Sequence, residues 1–345
     1  MNQKKRKHHY VFQRYLSAWT INGKLWCERE GEIFFTGTDN VAQERDFYRL
    51  RPLNADERKF HDLVLNGGSP EVQRAMSIHM NAYLQPTKWQ DQVTKLKRFF
   101  ESEFGGYSKI PVELQCCIKK LELIAGTAVN NTDEDYYCEI EGEGSKWLEQ
   151  LQKCDTSFYY EHRSDIAKVE YYDDEQFHFI HFVCTQYFRT KAIRERWIAS
   201  FEPHLDDPRF SNLNIPRENI HIENIFPHVI WDVQNMTAFT LRKKDAPLSL
   251  LVNKTDIPFI TSDQPVINLY ADYQKPEEEP NGLTFYYPIS PDVAILLNSE
   301  DTQNKVYLTR EQVDYYNRTI IQASYQCIFA NKREVIERYR KTGPD

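Results

Sequence analysis

Residues Pro258–Leu269 read PFITSDQPVINL. Two apolar runs flank the polar tetrapeptide Ser262–Asp263–Gln264–Pro265, and alternation on either side of a Pro-containing turn is the pattern of two strands. Working outward, the period of two continues in PLSLLVNK (Pro247–Lys254), TFYYPIS (Thr284–Ser290), DVAILLN (Asp292–Asn298) and KVYLT (Lys305–Thr309). Upstream, from about Ala55 to Phe201, the period is helical. Near the start, GKLWCEREGEIFFTGT (Gly23–Thr38) reads as a hairpin turning at Glu30–Gly31. Short β, long α, then β and α is an α+β order. The expected fold is one domain over 1–345. Its mainly antiparallel sheet joins the N-terminal hairpin to the C-terminal strands, and a helical block over 55–201 lies within it.

Punctuation refines the helices. Val11–Trp19 has a short amphipathic spacing, and Ser69 with Pro70 is a cap followed by the favoured first residue. TKWQDQVTKLKRFFESEF stops at Gly105–Gly106, and the next helix starts after Pro111. Asp133–Gly144, DEDYYCEIEGEG, reads as an acidic loop. Asp173–Phe201 reads as the longest helix, with an acidic start that suits the helix dipole. Asn219–Phe239 predicts a helix kinked at Pro227, and Arg310–Phe329 another.

Composition narrows the function. The 345 residues carry a net charge of −8, which argues against a surface coated for nucleic acid while leaving room for a local basic groove. Seven cysteines without regular spacing read as reduced thiols in a cytoplasmic protein. No stretch has signal-peptide or membrane-spanning character, so no membrane partner is expected. No P-loop, G-x-G-x-x-G, G-x-S-x-G, H-E-x-x-H or zinc-finger spacing occurs.

Several residues stand out as candidate chemistry. Asp263 leads a turn between strands, where it can bind a metal, act as a base or orient a histidine. It can equally bond its own turn. Arg189 lies in a mostly apolar helical stretch and must meet an acid, a phosphate or carbonyls. His178, His181, Thr185 and Arg189 share one helical face, and a histidine pair at that spacing is a metal ligand set or partly buried structure. His8 and His9 follow the basic run Lys4–Lys7, where a histidine can serve as acid, base or ligand, or be a solvated pair in a cationic tail. Glu44 is a further carboxylate.

Five segments appear in order: KKRKHHYVFQRYLSAWTINGKLW, NVAQERDFYRL, QYFRTKAIRER, PFITSDQPVINL and YNRTIIQASYQCIFA. Together they resemble the uncharacterised, mostly bacterial domain of unknown function family 4238. The matching residues are His8, His9, Gln13, Glu44, Tyr48, Arg189, Thr190, Ser262, Asp263, Pro265 and Asn317. Phe12 stands where that family has Pro, and Gln264 where it often has Asn. The family name carries no activity. The resemblance implies that these distant polar residues belong to one pattern, and such residues commonly converge as a site.

Two functions fit. In the first, the chain is a nuclease-like, metal-dependent phosphodiester hydrolase. His9, Glu44 and Asp263 would be catalytic, with Glu44 and Asp263 holding Mg²⁺ or Mn²⁺. Arg189, Gln13, Asn317 and Ser262 would bind substrate, with Arg189 as the phosphate clamp. In the second, the same groups form a non-catalytic module that binds a nucleotide, nucleic acid or protein. The first requires His9, Arg189 and Asp263 to converge, with Glu44 nearby.

Overall fold

A computed structural model describes residues 3–67, 83–161, 174–204, 215–275, 278–300 and 303–341, together with 70, 73, 74 and 80. The chain forms β1 (Lys7–His9), α1 (Gln13–Leu16), β2 (Lys24–Arg29), β3 (Glu32–Gly37), β4 (Gln43–Arg45), α2 (Ala55–Leu65), α3 (Gln85–Phe104) and α4 (Val112–Gln152). It continues through α5 (Ser157–Tyr160), α6 (Glu175–Phe188), α7 (Lys191–His204), α8 (Ile222–Lys243), β5 (Leu248–Val252), β6 (Thr261–Ser262) and β7 (Ile267–Asn268). β8 (Phe285–Ser290), β9 (Val293–Leu297), β10 (Lys305–Tyr307), α9 (Arg310–Ala323), β11 (Cys327–Ala330) and α10 (Arg333–Lys341) complete it. The fold is α+β. The backbone gathers into two compact units, the first from described residues within 1–8, 44–139 and 205–232, the second from those within 9–43, 140–204 and 233–345.

The second unit holds two sheets, ordered β10-β5-β9-β8-β7 and β3-β2-β11-β6. Every pair is antiparallel except β10 with β5. β5 (LSLLV) and β9 (VAILL) are buried along their whole length, as expected for strands covered on both faces. The expected hairpin is β2–β3, and β11 joins it to the C-terminal strands. Phe259, Ile260, Ile267, Tyr286, Val313 and Ile320 form the core beneath α9, whose N-terminus is closed by a capping box of Thr309 and Gln312.

Three local expectations fail. Asp133–Gly144 is no loop but the middle of the 41-residue α4. Its glycines are not breakers: a Cβ at Gly144 would run into the Phe182 ring, so the missing side chain admits α6. The distant basic arm meets it instead: Lys5 Nζ lies 2.6 Å from Asp135, and Asn131, just before the stretch, accepts Lys5 N–H at 2.9 Å. The basic arm is therefore held in the first unit, with Asn131 Nδ2 donating to Gln3 O. The stretch Asp173–Phe201 breaks into α6 and α7, because Thr190 accepts the Ile193 N–H at 3.3 Å and so caps a new helix. The helix expected over Arg310–Phe329 ends at Ala323. Cys327–Ala330 instead pairs with β2 on one side and β6 on the other, tertiary pairing overriding local period. Most of the helix expected after Ser69 lies outside the described residues.

Candidate functional site

The turn that opened the sequence argument is wholly buried: Thr261, Ser262, Asp263 and Gln264 have no exposed surface. Burial obliges each polar group to find a partner. Ser262 Oγ donates to Gln264 O at 3.0 Å and accepts Gln264 N–H at 3.1 Å, which closes the turn. Gln264 Nε2 donates to Val266 O at 2.7 Å and Tyr187 O at 3.2 Å, and its Oε1 accepts from the Thr190 hydroxyl. Thr261 and Tyr15 hydroxyls meet at 2.6 Å, and Trp19 Nε1 donates to Phe259 O at 3.0 Å. The turn thus ties α1, the α6–α7 junction and β6 together.

Asp263 does something different from the metal or base role expected of it. Oδ1 accepts the Tyr325 N–H at 2.9 Å, and Oδ2 accepts those of Gln326 and Cys327 at 2.7 and 3.1 Å. The carboxylate therefore fixes the approach to β11. Burial pushes its pKa up to about 6, even though the backbone N–H groups pull the other way. Asn317 is a second clamp. Its Oδ1 accepts Ile260 N–H at 3.0 Å, while Nδ2 donates to Pro258 O at 3.0 Å and Tyr339 Oη at 2.9 Å.

Arg189 is the C-cap of α6, not a mid-helix residue, and only 2% of it is exposed. It pairs with Glu141 of α4, not with Asp263. The fit follows from Gly144, one turn along α4 from Glu141, which lets Phe182 of α6 approach. Thr185 and Gln186 share the Arg189 face of α6. The buried Tyr287 hydroxyl lies within electrostatic reach of both Arg189 and Glu141, and burial raises its pKa. Among the described residues, Thr185 Oγ1, both Gln186 amide atoms and Tyr287 Oη have no hydrogen-bond partner. Such atoms suit ordered water or a small polar group.

The remaining candidates scatter. His8, in the first unit, accepts Tyr48 N–H at Nδ1 (2.9 Å), so Nε2 carries the proton and donates to Lys5 O at 3.0 Å. Burial lowers its pKa, and the ring stacks on Tyr48. His8 and Tyr48 are thus a clip holding the arm. His9 is half-buried in β1, Glu44 half-buried in β4, and Gln13 half-buried at the start of α1. The proposed Asp263–Arg189 meeting does not occur. The reason is that nearer partners, three amides and Glu141, take up the two charges. His181 is pushed down to about 4 by burial and by His178. Among the described residues no three His, Cys, Asp or Glu side chains form a metal-ligand group, and of the two carboxylates expected to hold Mg²⁺ or Mn²⁺, Glu44 belongs to the first unit and Asp263 to the second.

Sequence reading missed several buried polar pairs. Asp174 caps α6 by accepting Phe177 N–H and also holds Arg242 at 2.5 Å. An acidic residue at a helix start was the visible signal for the first role, but nothing local announced the second. In the first unit His61 Nε2 lies 2.7 Å from Asp232 Oδ2, with His228 edge-on. Burial opposes a charged His61, but the Asp232 contact outweighs it and raises the pKa. A groove of about 320 Å³ along α8, lined by Val233, Met236, Thr240, Leu241, Leu283 and Asn298, includes none of the sequence candidates. No described helix is long and apolar enough to cross a membrane.

Neither the curated proteins nor the solved structures contain a match to this chain. A family model described as a protein of unknown function, DUF4238, matches residues 7–334. The match covers most of the 345 residues, and the chain belongs to the DUF4238 family.

Proposed function

We propose that this chain is a non-catalytic binding module whose ligand is a protein, and that its family-pattern residues brace the fold that presents the binding surface. The observation that carries the reading is Asp263. Both of its oxygens accept backbone N–H groups, so it is neither a free metal ligand nor a base within reach of a substrate proton. A protein ligand is favoured over a nucleotide or nucleic acid because the buried arginines of the second unit already hold carboxylates, Arg189 with Glu141 and Arg242 with Asp174. The net charge of −8 adds no general attraction for phosphate. A cytoplasmic setting suits the seven free thiols, of which Cys116, Cys117 and Cys138 are exposed.

One observation favours the hydrolase alternative: a buried acid with a pKa near 6 is of the kind active sites use. A single experiment separates the two. Labelled DNA, RNA and nucleotides are incubated with the protein and Mg²⁺ or Mn²⁺, using wild type, His9→Ala and Asp263→Ala. The binding reading expects no cleavage above the protein-free blank. Cleavage by wild type that His9→Ala abolishes, at an unchanged Tm, would overturn it.

A further inference from the structure

We infer that the helical hairpin of the first unit, α3 with the N-terminal part of α4, is a self-association surface for a second copy of this chain. The hairpin is well made. α3 ends on Gly105 in the left-handed region at φ 69°, where the Gly106 N–H returns to Glu101 O at 2.7 Å. Lys97 of α3 bonds Glu122 of α4 at 2.8 Å and lies over the Tyr107 ring of the connecting turn.

Yet its apolar side chains are spent on solvent. Among the described residues, 14 large hydrophobic side chains are exposed, and 8 of them fall in the 40 residues from Gln85 to Ile124: Trp89, Leu96, Phe99, Phe104, Val112, Leu121, Leu123 and Ile124. Scattered exposed hydrophobics need no explanation, but a concentration on one element does. On α4 the inward face is Ile118, Ala125 and Val129, all buried. Val112 and Leu123, 69% and 60% exposed, lie on the opposite side, with exposed Cys116 between them.

Two observations select a second copy as the occupant. The first is area. Three of the eight are aromatic, at roughly 150–250 Å² each, and with exposures of 37–69% the eight together leave several hundred Å² of apolar surface open across the two helices. A stable dimer needs about 800 Å² on each partner. The second is charge. The same 40 residues carry seven basic and five acidic side chains, near balance on a chain of net charge −8. Such a patch does not repel its own image. Both signs are present for the reciprocal pairing that a two-fold interface requires. This inference goes beyond the binding reading, and a nuclease result does not bear on it.

The test is sedimentation of the full chain up to ~100 µM, alongside Phe99→Glu/Leu123→Glu. Wild type should be a dimer that dissociates on dilution. The variant should raise the dissociation constant at least ~100-fold, because each substitution acts twice across a two-fold axis. Its circular dichroism should stay at the wild-type value, and its Tm should match that of wild type diluted to the monomer, since both side chains are exposed. In a Cys138→Ser background, a short bismaleimide should link copies through Cys116 or Cys117, and adding Cys116→Ser/Cys117→Ser should abolish the link. A wild type that is monomeric at ~100 µM overturns the inference. So does a dimer that the glutamates leave intact.

Discussion

Replacing Asp263 by Ala sets two large effects against each other, and pH decides between them. The carboxylate accepts three backbone N–H groups, from Tyr325, Gln326 and Cys327. Leaving buried amides without an acceptor costs about 1–3 kcal/mol apiece. Against that, the folded protein keeps a charge in a fully buried place, and its pKa stands at about 6 where 3.8 is ordinary. A rise of that size corresponds to about 3 kcal/mol of penalty on the ionised form at neutral pH. The sign follows from linkage. A folded pKa above the unfolded one means that Asp263 helps the fold most below pH 3.8, and that this help is lost as pH rises through about 6. Wild type should therefore exceed Asp263→Ala in stability by about 1 kcal/mol more at pH 5 than at pH 7. Urea unfolding followed by tryptophan fluorescence at pH 5, 6 and 7 measures the difference directly. Because both proteins share every other titrating group, the comparison isolates this one. An advantage that is flat or grows with pH would refute the reasoning. It would mean that the three N–H donors overcome burial and hold the carboxylate ionised.

Gly144→Ala should destabilise by about 1–3 kcal/mol, since the new methyl meets the Phe182 ring. Gly142→Ala, two residues earlier with nothing within 4 Å, should stabilise by about 0.5–1 kcal/mol, and thermal melts of the pair check both signs. Glu141→Gln should cost about 3–5 kcal/mol by taking a carboxylate from the buried Arg189, while Glu141→Leu with Arg189→Met should recover most of it. A double-mutant cycle in urea measures that coupling, and a coupling near zero would sink the ion-pair reading.

Elements whose signals are local were legible. The β2–β3 hairpin, the α3 stop at Gly105 and the period-two strands β5, β8 and β9 all lie where turn residues and alternation put them. Elements made by distant partners were not. The local period of Tyr325–Phe329 says helix, and only β2, β6 and the Asp263 carboxylate make it a strand. Gly144 has the appearance of a breaker until Phe182 is placed against it. The polar pattern itself was readable, including Asn317, Ser262 and Arg189. What each residue faced was not, because an Asp before a Pro looks the same whether it awaits a metal or three amides. Glu141, the actual partner of Arg189, sat inside a stretch whose charge density read as solvent-exposed loop.

The position of β11 sets a timetable for synthesis. β2 and β6 each pair with β11, and β2 precedes it in the chain by some 300 residues. At about 5–20 residues per second, the ribosome needs roughly 15–60 s between making β2 and making its partner. Through that interval one side of β2 lacks the β11 partner it ends with, whereas Asp263, 62–64 residues before its N–H donors, waits only about 3–13 s. An unsatisfied strand edge is the kind that recruits neighbours. Closure of the second unit is therefore a late, long-range event of the sort that slows folding. A chain stopped before Cys327 would hold β2–β3 as an open-edged hairpin, exposed to any chaperone or any other nascent copy that reached it first.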